Sequence, residues 1–139
     1  MRPIRQFHSY TFWFIVLLGI EIAIARYAHD DFVRPFVGDL LVIVLLYCLL
    51  TAFCALSSSS SNSLGIIKRV MMVVIIAFVV EFLQLWHITT YLGLSKYPLL
   101  QIVLGNTFDP KDLLAYSLGG VCVLGIEGAL GYLGKLRGT

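Results

Sequence analysis

Residues 81–120 read EFLQLWHITTYLGLSKYPLLQIVLGNTFDPKDLLAYSLGG, and this stretch decides the fold. It places a carboxylate and an amide, Glu81 and Gln84, near the end of an apolar helix. After a loop, the turn at 105–112 opens a second apolar helix. Polar groups this deep in an apolar chain cost free energy unless they are paired or used. The stretch therefore predicts two apolar helices with a functional polar site, or a set of buried polar pairs, where they meet.

The composition assigns the whole chain to the membrane-protein class. Of its 139 residues, 59% are hydrophobic and 13% are charged, and the mean hydropathy is +0.91. Soluble domains carry about 25% charged residues, so this chain lacks the polar surface that covers a soluble core. We predict a single all-α membrane domain whose partner is the lipid bilayer. The net charge of +2 gives no indication of a nucleic-acid partner.

The hydrophobic runs predict a polytopic integral membrane protein, with four transmembrane helices in an up-down bundle. A membrane span needs about 20 apolar residues. Four runs approach this length, at about 10–28, 39–56, 70–88 and 110–133. The run PLLQIVL at 98–104 is too short, because a helix of that length rises only about 10 Å. We expect it to form a short interfacial or re-entrant segment, over about 97–105, within the third loop.

The distribution of basic residues predicts the orientation. Four crossings put both termini and the serine-rich loop on one side of the membrane. Six basic residues lie near that side and four near the other, so the positive-inside rule predicts cytoplasmic N- and C-termini. The two groups are Arg2, Arg5, Lys68, Arg69, Lys135 and Arg137, against Arg26, Arg34, Lys96 and Lys111.

The acidic residues gather at the opposite, extracytoplasmic end, with Glu127 as the exception. Glu21 and Glu81 each lie about 10 Å inside the end of their predicted helices. A lone ionised carboxylate at that depth costs about 2.5–3.5 kcal/mol. Each must therefore be protonated, paired, or turned toward a hydrated pocket, and Arg26 and Arg34 are the candidate partners. The seven acids at this end are Glu21, Asp30, Asp31, Asp39, Glu81, Asp109 and Asp112.

We predict that polar residues at this end form an acidic cup that binds a ligand. Helix capping explains some of these acids without any ligand, because Asp109 precedes Pro110 and Asp39 precedes an apolar run. No cap requires the glutamates or Gln84, so for these a functional site and a buried structural pair both stay open. The predicted ligand-binding residues are Glu21, Arg34, Asp39, Glu81, Gln84, Asp109, Asp112 and Tyr116.

The chemistry of the cup allows several functions. A lipid-linked or drug-like ligand could bind there, which would make the protein an accessory protein of the cell envelope. A membrane enzyme could use Glu81 as general base, with Asp112 or Asp109 positioning a metal ion or water. No cofactor motif is evident. A divalent cation is the group that Asp109, Asp112 and Glu81 could hold.

Two further functions depend on contacts between helices. The protein could be a subunit of a membrane complex or a homo-oligomer, with Gly125 and Ala129 forming a small-residue contact face. A transporter is less favoured, because four helices leave little room for alternating access.

The motifs of the cup resemble those of a known group. Glu81-x-x-Gln84, followed by a turn with Asp109 and Asp112 and then by Gly119, is similar to the pattern of the VanZ-like membrane proteins. The chain departs from that pattern before Asp109, where an arginine is expected, and at Tyr116, where an asparagine is expected.

A closer resemblance extends over roughly residues 10–125. The segments IEIAIA at 20–25, HDDFVRPFVGD at 29–39 and GNTFDPKDLLAY at 105–116 are similar to a bacterial four-helix membrane family of unknown function within the VanZ-like group. The resemblance implies a multi-pass protein of the bacterial inner (cytoplasmic) membrane, with a polar site at these positions. It implies no activity.

Overall fold

The described residues form four long helices and one short helical turn. The computed structural model describes residues 3–30, 33–56, 63–86, 88–93, 96–97 and 108–138. All regular structure in these ranges is helical, as the all-α prediction requires. The helices are α1 (Pro3–Tyr27), α2 (Val33–Leu56), α3 (Ser63–Leu85), α4 (Ile88–Tyr91) and α5 (Pro110–Arg137).

Three helices in the described ranges are long and apolar enough to cross a membrane. They are Phe7–Tyr27, Arg34–Leu56 and Pro110–Arg137, in agreement with the predicted membrane-protein class. The helix α3 is of similar length but carries Lys68 and Arg69 near its start and Glu81 near its end. By length and composition the predicted count of four crossings is therefore not confirmed.

Contacts at both ends of the bundle set the direction of α1, α2 and α5. Near the end of α1, Glu21 lies against Gly38 at the start of α2. Near the start of α1, Tyr10 contacts Glu127 late in α5, and Tyr47 late in α2 contacts the same carboxylate. The helix α1 is therefore antiparallel to α2 and α5, which run in the same direction.

The direction of α3 follows in the same way. Its end meets the start of α5, where Glu81 contacts Asp109, and Val74 nearer its start lies beside Gly120. The four long helices thus alternate in direction. We call the end that holds Glu21, Asp39, Glu81, Asp109 and Asp112 the acidic end, and the end that holds Arg5, Lys68, Arg69, Lys135 and Arg137 the basic end.

The helix α2 is central, because it packs against α1, α3 and α5. Ile43, in the middle of α2, is fully buried. In lipid, packing and polar contacts between helices replace the hydrophobic effect as the source of association. The buried cluster consists of Ile43, Tyr47, Val70, Val73, Ala77, Tyr116 and Val123.

Two adjacent glycines let α5 approach its neighbours closely. A Cβ atom at Gly119 would lie 2.9 Å from both the Leu40 carbonyl oxygen and the Ile43 Cβ. A Cβ at Gly120 would lie 3.0 Å from the side chain of Val74 on α3. A Cβ at Gly125, by contrast, meets no described atom within 4 Å. The predicted contact face of Gly125 and Ala129 is therefore open in the monomer, as far as the structure describes it.

The two expected helix caps have different outcomes. Asp109 is confirmed as the N-cap of α5, with extended backbone angles and Pro110 in the first turn. Asp39 is not an N-cap, because α2 begins earlier, at Val33, and Asp39 lies inside the helix. Apart from Tyr97, the interfacial segment predicted over 97–105 lies outside the described residues.

We expect Gly119→Ala to destabilise the bundle, because the new methyl group would overlap backbone as well as side-chain atoms of α2. Overpacking of this kind costs about 1–3 kcal/mol. Thermal unfolding in mild detergent measures the effect. Gly125→Ala is the matched control, and it should be neutral or slightly stabilising because alanine favours helix more than glycine does. Equal melting temperatures for the two variants would contradict the close approach of α2 and α5.

Candidate functional site

The carboxyl group of Glu81 is buried at the acidic end, with only 1% of the residue exposed. One oxygen, Oε1, accepts a hydrogen bond from the backbone N–H of Asp109 at 3.1 Å, and Oε2 accepts one from the Tyr116 hydroxyl at 3.4 Å. In a capping box, a glutamate inside the helix accepts from the N-cap N–H. Here a glutamate on α3 does so for α5, and the positive end of the α5 dipole favours its negative charge.

Asp109 accepts hydrogen bonds from the first turn of α5 through both its side chain and its backbone carbonyl. Its Oδ1 accepts from the N–H of Lys111 at 2.9 Å, and its carbonyl oxygen accepts from the N–H of Asp112 at 3.0 Å. Together with the bond to Glu81, these contacts fix the start of α5 against the end of α3. Asp109 is therefore placed as a structural residue of the helix start.

A second pair of carboxyl groups joins α2 to α5. The side chains of Asp39 and Asp112 lie within interaction distance of each other. Two carboxyl groups this close disfavour the ionisation of both at once. Asp39 also lies within electrostatic range of Glu21 and Glu81. Asp39 therefore lies near three of the other four carboxyl groups that define the acidic end, those of Glu21, Glu81 and Asp112.

A recess opens between the end of α1 and the start of α2. It has a volume of about 410 Å³ and takes in polar side chains from both helices and the short loop between them. We call it the acidic recess. Its lining residues are Glu21, Ile24, Ala25, His29, Asp30, Arg34, Pro35, Gly38 and Asp39.

Glu21 stands out among the groups that line the acidic recess. Its Oε2 atom is buried and has no hydrogen-bond partner in the described part of the chain. Its Oε1 atom lies where a Cβ at Gly38 would be only 3.1 Å away, so the absence of a side chain at Gly38 makes room for the carboxyl group. Arg34 lines the same recess and is exposed. The expected pairing of Glu21 with Arg26 or Arg34 is not seen among the described contacts.

The structure divides the predicted ligand-binding residues into two groups. Glu21, Arg34 and Asp39 line the acidic recess. Behind it lies a hydrogen-bonded junction of Glu81, Asp109, Asp112 and Tyr116, which Asp39 joins through Asp112. Gln84 is half-buried, one helical turn beyond Glu81.

Two lining residues with polar side chains were absent from the predicted site. His29 and Asp30 belong to the loop between α1 and α2, and the His29 ring is fixed by a 2.8 Å contact between its Nδ1 and the Tyr27 carbonyl oxygen. Their closeness to Glu21 could have been inferred from the short distance between the two helices along the chain.

The described residues contain no group of three or more His, Cys, Asp or Glu side chains that could hold a metal ion. The predicted ligands of a divalent cation have other contacts. Glu81 accepts from Asp109 and Tyr116, Asp109 caps α5, and Asp112 pairs with Asp39. The geometry therefore gives no support to a cation held by these three carboxylates.

The basic end contains a polar cluster that the sequence did not predict. The hydroxyl groups of Tyr10 on α1 and Tyr47 on α2 both donate to Oε1 of Glu127, at 2.5 and 3.0 Å. The two tyrosine rings meet edge to face, with centroids 6.3 Å apart. A lone glutamate in an apolar helix needs hydrogen-bond donors. The isolated position of Glu127 in such a helix was therefore the sequence signal for this cluster.

We expect Glu81→Ala to destabilise the protein by about 2–4 kcal/mol, because it leaves the Asp109 N–H and the Tyr116 hydroxyl buried without an acceptor. Glu81→Gln should lose less, since its carbonyl oxygen can still accept from Asp109. Tyr116→Phe should also lose less, because it removes only the longer bond. Melting temperatures in one detergent rank the three variants, and an alanine variant as stable as the glutamine variant would contradict this role of Glu81.

The comparisons with known proteins place the chain in a family without assigning it an activity. No curated protein and no solved structure matches the chain. A family model described as "Protein of unknown function (DUF2809)" matches residues 28–120. The matched range includes the junction and Arg34, Gly38 and Asp39 of the acidic recess, and it leaves out Glu21 and Glu127. Because this match covers well over half of the sequence, the chain belongs to the DUF2809 family of proteins of unknown function.

Proposed function

We propose that this protein is an accessory protein of the cell envelope that binds an amine-bearing amphiphile, lipid-linked or drug-like, in the acidic recess. The observation that carries the proposal is the buried, unpartnered Oε2 of Glu21, a residue that lines a recess of about 410 Å³. A buried polar atom without a partner costs free energy. An ammonium group entering the recess would supply the missing donor.

The other lining residues match the remaining parts of such a ligand. Asp39 adds a second carboxyl group beside Glu21, and the Arg34 guanidinium offers paired donors to a phosphate or carboxylate. Ile24 and Pro35 add apolar surface for the start of a hydrocarbon chain. A ligand with an ammonium group, an anionic group and a hydrocarbon chain would therefore find a complement for each.

An enzyme with Glu81 as general base receives less support. Glu81 is 1% exposed and both of its oxygens accept hydrogen bonds from the protein, so a substrate would first have to displace Asp109 or Tyr116. A role as a subunit of a membrane complex draws support from the open face at Gly125, where no described atom approaches within 4 Å. The binding role is preferred because it uses a formed recess.

We further propose that α3 crosses the membrane with the other three long helices, in the inner membrane of a bacterium. The alternating directions of the helices support four crossings. When consecutive helices run in opposite directions, the segment that joins them can stay on one side of the membrane. The basic residues at the starts of α1 and α3 and the end of α5 support cytoplasmic termini. The acidic recess would then face the extracytoplasmic side. The similarity of its motifs to VanZ-like proteins supports an envelope role.

Reporter fusions test this topology. A phosphatase that is active only outside the cytoplasm should be active when fused after Asp30 and inactive when fused after Gly138. A fluorescent protein that matures only in the cytoplasm should show the opposite pattern. Phosphatase activity at both positions would mean an even number of crossings between Asp30 and Gly138 instead of the proposed three, and would rule out the proposed topology.

Binding is tested by native mass spectrometry of the purified protein with phosphatidylethanolamine as the probe. We expect a bound adduct that Glu21→Gln weakens at least tenfold, because the variant keeps the shape of the side chain and removes its charge. Glu127→Gln makes the same change at the basic end and should leave the adduct intact. N-acetylated phosphatidylethanolamine, which lacks the ammonium group, should bind weakly to the wild type.

Two results would count against the proposed function. One is equal binding of the free and the N-acetylated lipid, which would show that the ammonium group is not recognised. The other is equal binding by the wild type and Glu21→Gln. Melting temperatures establish that each variant is folded, so a loss of binding cannot be mistaken for a loss of structure.

A further inference from the structure

A second recess lies at the basic end, between the start of α3 and the late part of α5. Its volume is about 650 Å³. Gly128 and Gly131 form part of its floor, and a Cβ at either position would meet no described atom within 4 Å. We call it the basic-end groove. Its lining residues are Ile66, Ile67, Leu124, Glu127, Gly128, Gly131, Tyr132 and Lys135.

The groove follows the axis of α5. Its lining residues on this helix recur at intervals of three and four, which places them on one face. From Leu124 to Lys135 this face is about 16 Å long at 1.5 Å per residue. That is about half of the roughly 30 Å hydrocarbon core of a bilayer. The groove therefore has the length of one leaflet, and its glycines and aliphatic side chains lie beside Glu127, Tyr132 and Lys135.

The charges around the groove have one dominant sign. Lys135 lies at its outer end, and the basic end also carries the exposed Arg5, Lys68 and Arg137. Glu127 is the acidic residue among the described groups of this end, and its Oε1 accepts from two tyrosine hydroxyls. Basic side chains beside a groove between transmembrane helices favour anionic lipid headgroups.

We propose that the basic-end groove binds an anionic glycerophospholipid, with one acyl chain along Gly128 and Gly131 and the phosphate at Lys135. The site is independent of the acidic recess, which lies at the other end of the bundle between other helices. It uses a different charge and a different ligand class.

A second copy of the chain fits the groove less well. In a two-fold symmetric contact, equivalent residues of the two copies approach each other. Packing two such faces around α5 would bring Lys135 toward its counterpart and Glu127 toward its counterpart. Like charges in apolar surroundings repel, so charge complementarity favours a lipid phosphate over a symmetric partner.

Native mass spectrometry with two probes tests the site. Phosphatidylglycerol and phosphatidylethanolamine with identical acyl chains are added separately to the delipidated Glu21→Gln variant, in which binding at the acidic recess is weakened, and bound lipids are counted at increasing concentration. We expect phosphatidylglycerol to bind more tightly than phosphatidylethanolamine to this variant. Lys135→Ala should weaken phosphatidylglycerol binding about fivefold, the effect of one basic residue at an anionic membrane surface. Lys111→Ala, at the acidic end of the same helix, is the matched control and should change nothing.

A second pair of variants tests the shape of the groove. Gly128→Leu fills the path of the acyl chain and should abolish the phosphatidylglycerol adduct. Gly125→Leu adds the same side chain at an open position outside the groove and should preserve it. Neither glycine has a described neighbour that the new Cβ would displace. Melting temperatures check the fold of both variants.

The outcomes separate the occupants. Equal affinity of the Glu21→Gln variant for the two lipids, or an unchanged phosphatidylglycerol adduct in both Lys135→Ala and Gly128→Leu, overturns the proposal. A dimer that Gly128→Leu dissociates, with no specific lipid adduct, would replace the lipid by a second copy of the chain. The comparison of the two lipids on Glu21→Gln and the exposed Lys135 variant test the proposal even where the leucine variant fails to fold. Failure here leaves the acidic recess untouched, because that site is tested with Glu21 and an ammonium group.

Discussion

A carboxylate that leaves water must find its donors inside the protein, and this constraint governs the acidic end of the bundle. Glu81 meets it by accepting two hydrogen bonds from α5. One comes from the backbone N–H of Asp109 at the start of the helix, and the other from the hydroxyl of Tyr116 on its side. The two bonds fix both the height and the rotation of α5 against α3. With α5 held there, Asp112 reaches Asp39 on α2, and Gly119 reaches the backbone of the same helix. The close packing of the centre thus depends on a polar contact at its edge.

The two ends of the bundle use their polar groups differently. At the acidic end, Asp39 and Asp112 lie close together, and Oε2 of Glu21 is buried without a hydrogen-bond partner in the described part of the chain. At the basic end one carboxylate, Glu127, has two hydroxyl donors. An end with unsatisfied acceptors favours a ligand that brings donors, whereas an end with exposed cations favours anions. The charged groups described above therefore divide between the two ends of the bundle, and the buried cluster between them is mostly aliphatic.

The sequence predicted the features that depend on local chemistry. Hydropathy indicated the helical membrane class, and the Asp109-Pro110 pair indicated the start of α5. Contacts between helices are not local, so Glu127 looked solitary while its donors lay 117 and 80 positions away along the chain. The apolar run after Asp39 predicts a helix cap at this residue, and this prediction is wrong. Hydropathy marks the depth at which a helix enters lipid, whereas α2 had already begun at Val33 in a more polar segment.

The exposed position of α1 has a consequence for the biosynthesis of the protein. No residue from Phe7 to Tyr27 is buried, and α1 packs chiefly on α2. Because N-terminal segments are made first, α1 and α2 can pair as a hairpin while α5 is still being translated. At that stage the hydroxyl groups of Tyr10 and Tyr47 lie in the hairpin without the acceptor that they have in the complete bundle. Glu127 supplies it only after α5 has been translated, so a residue of a later helix completes the contact between α1 and α2.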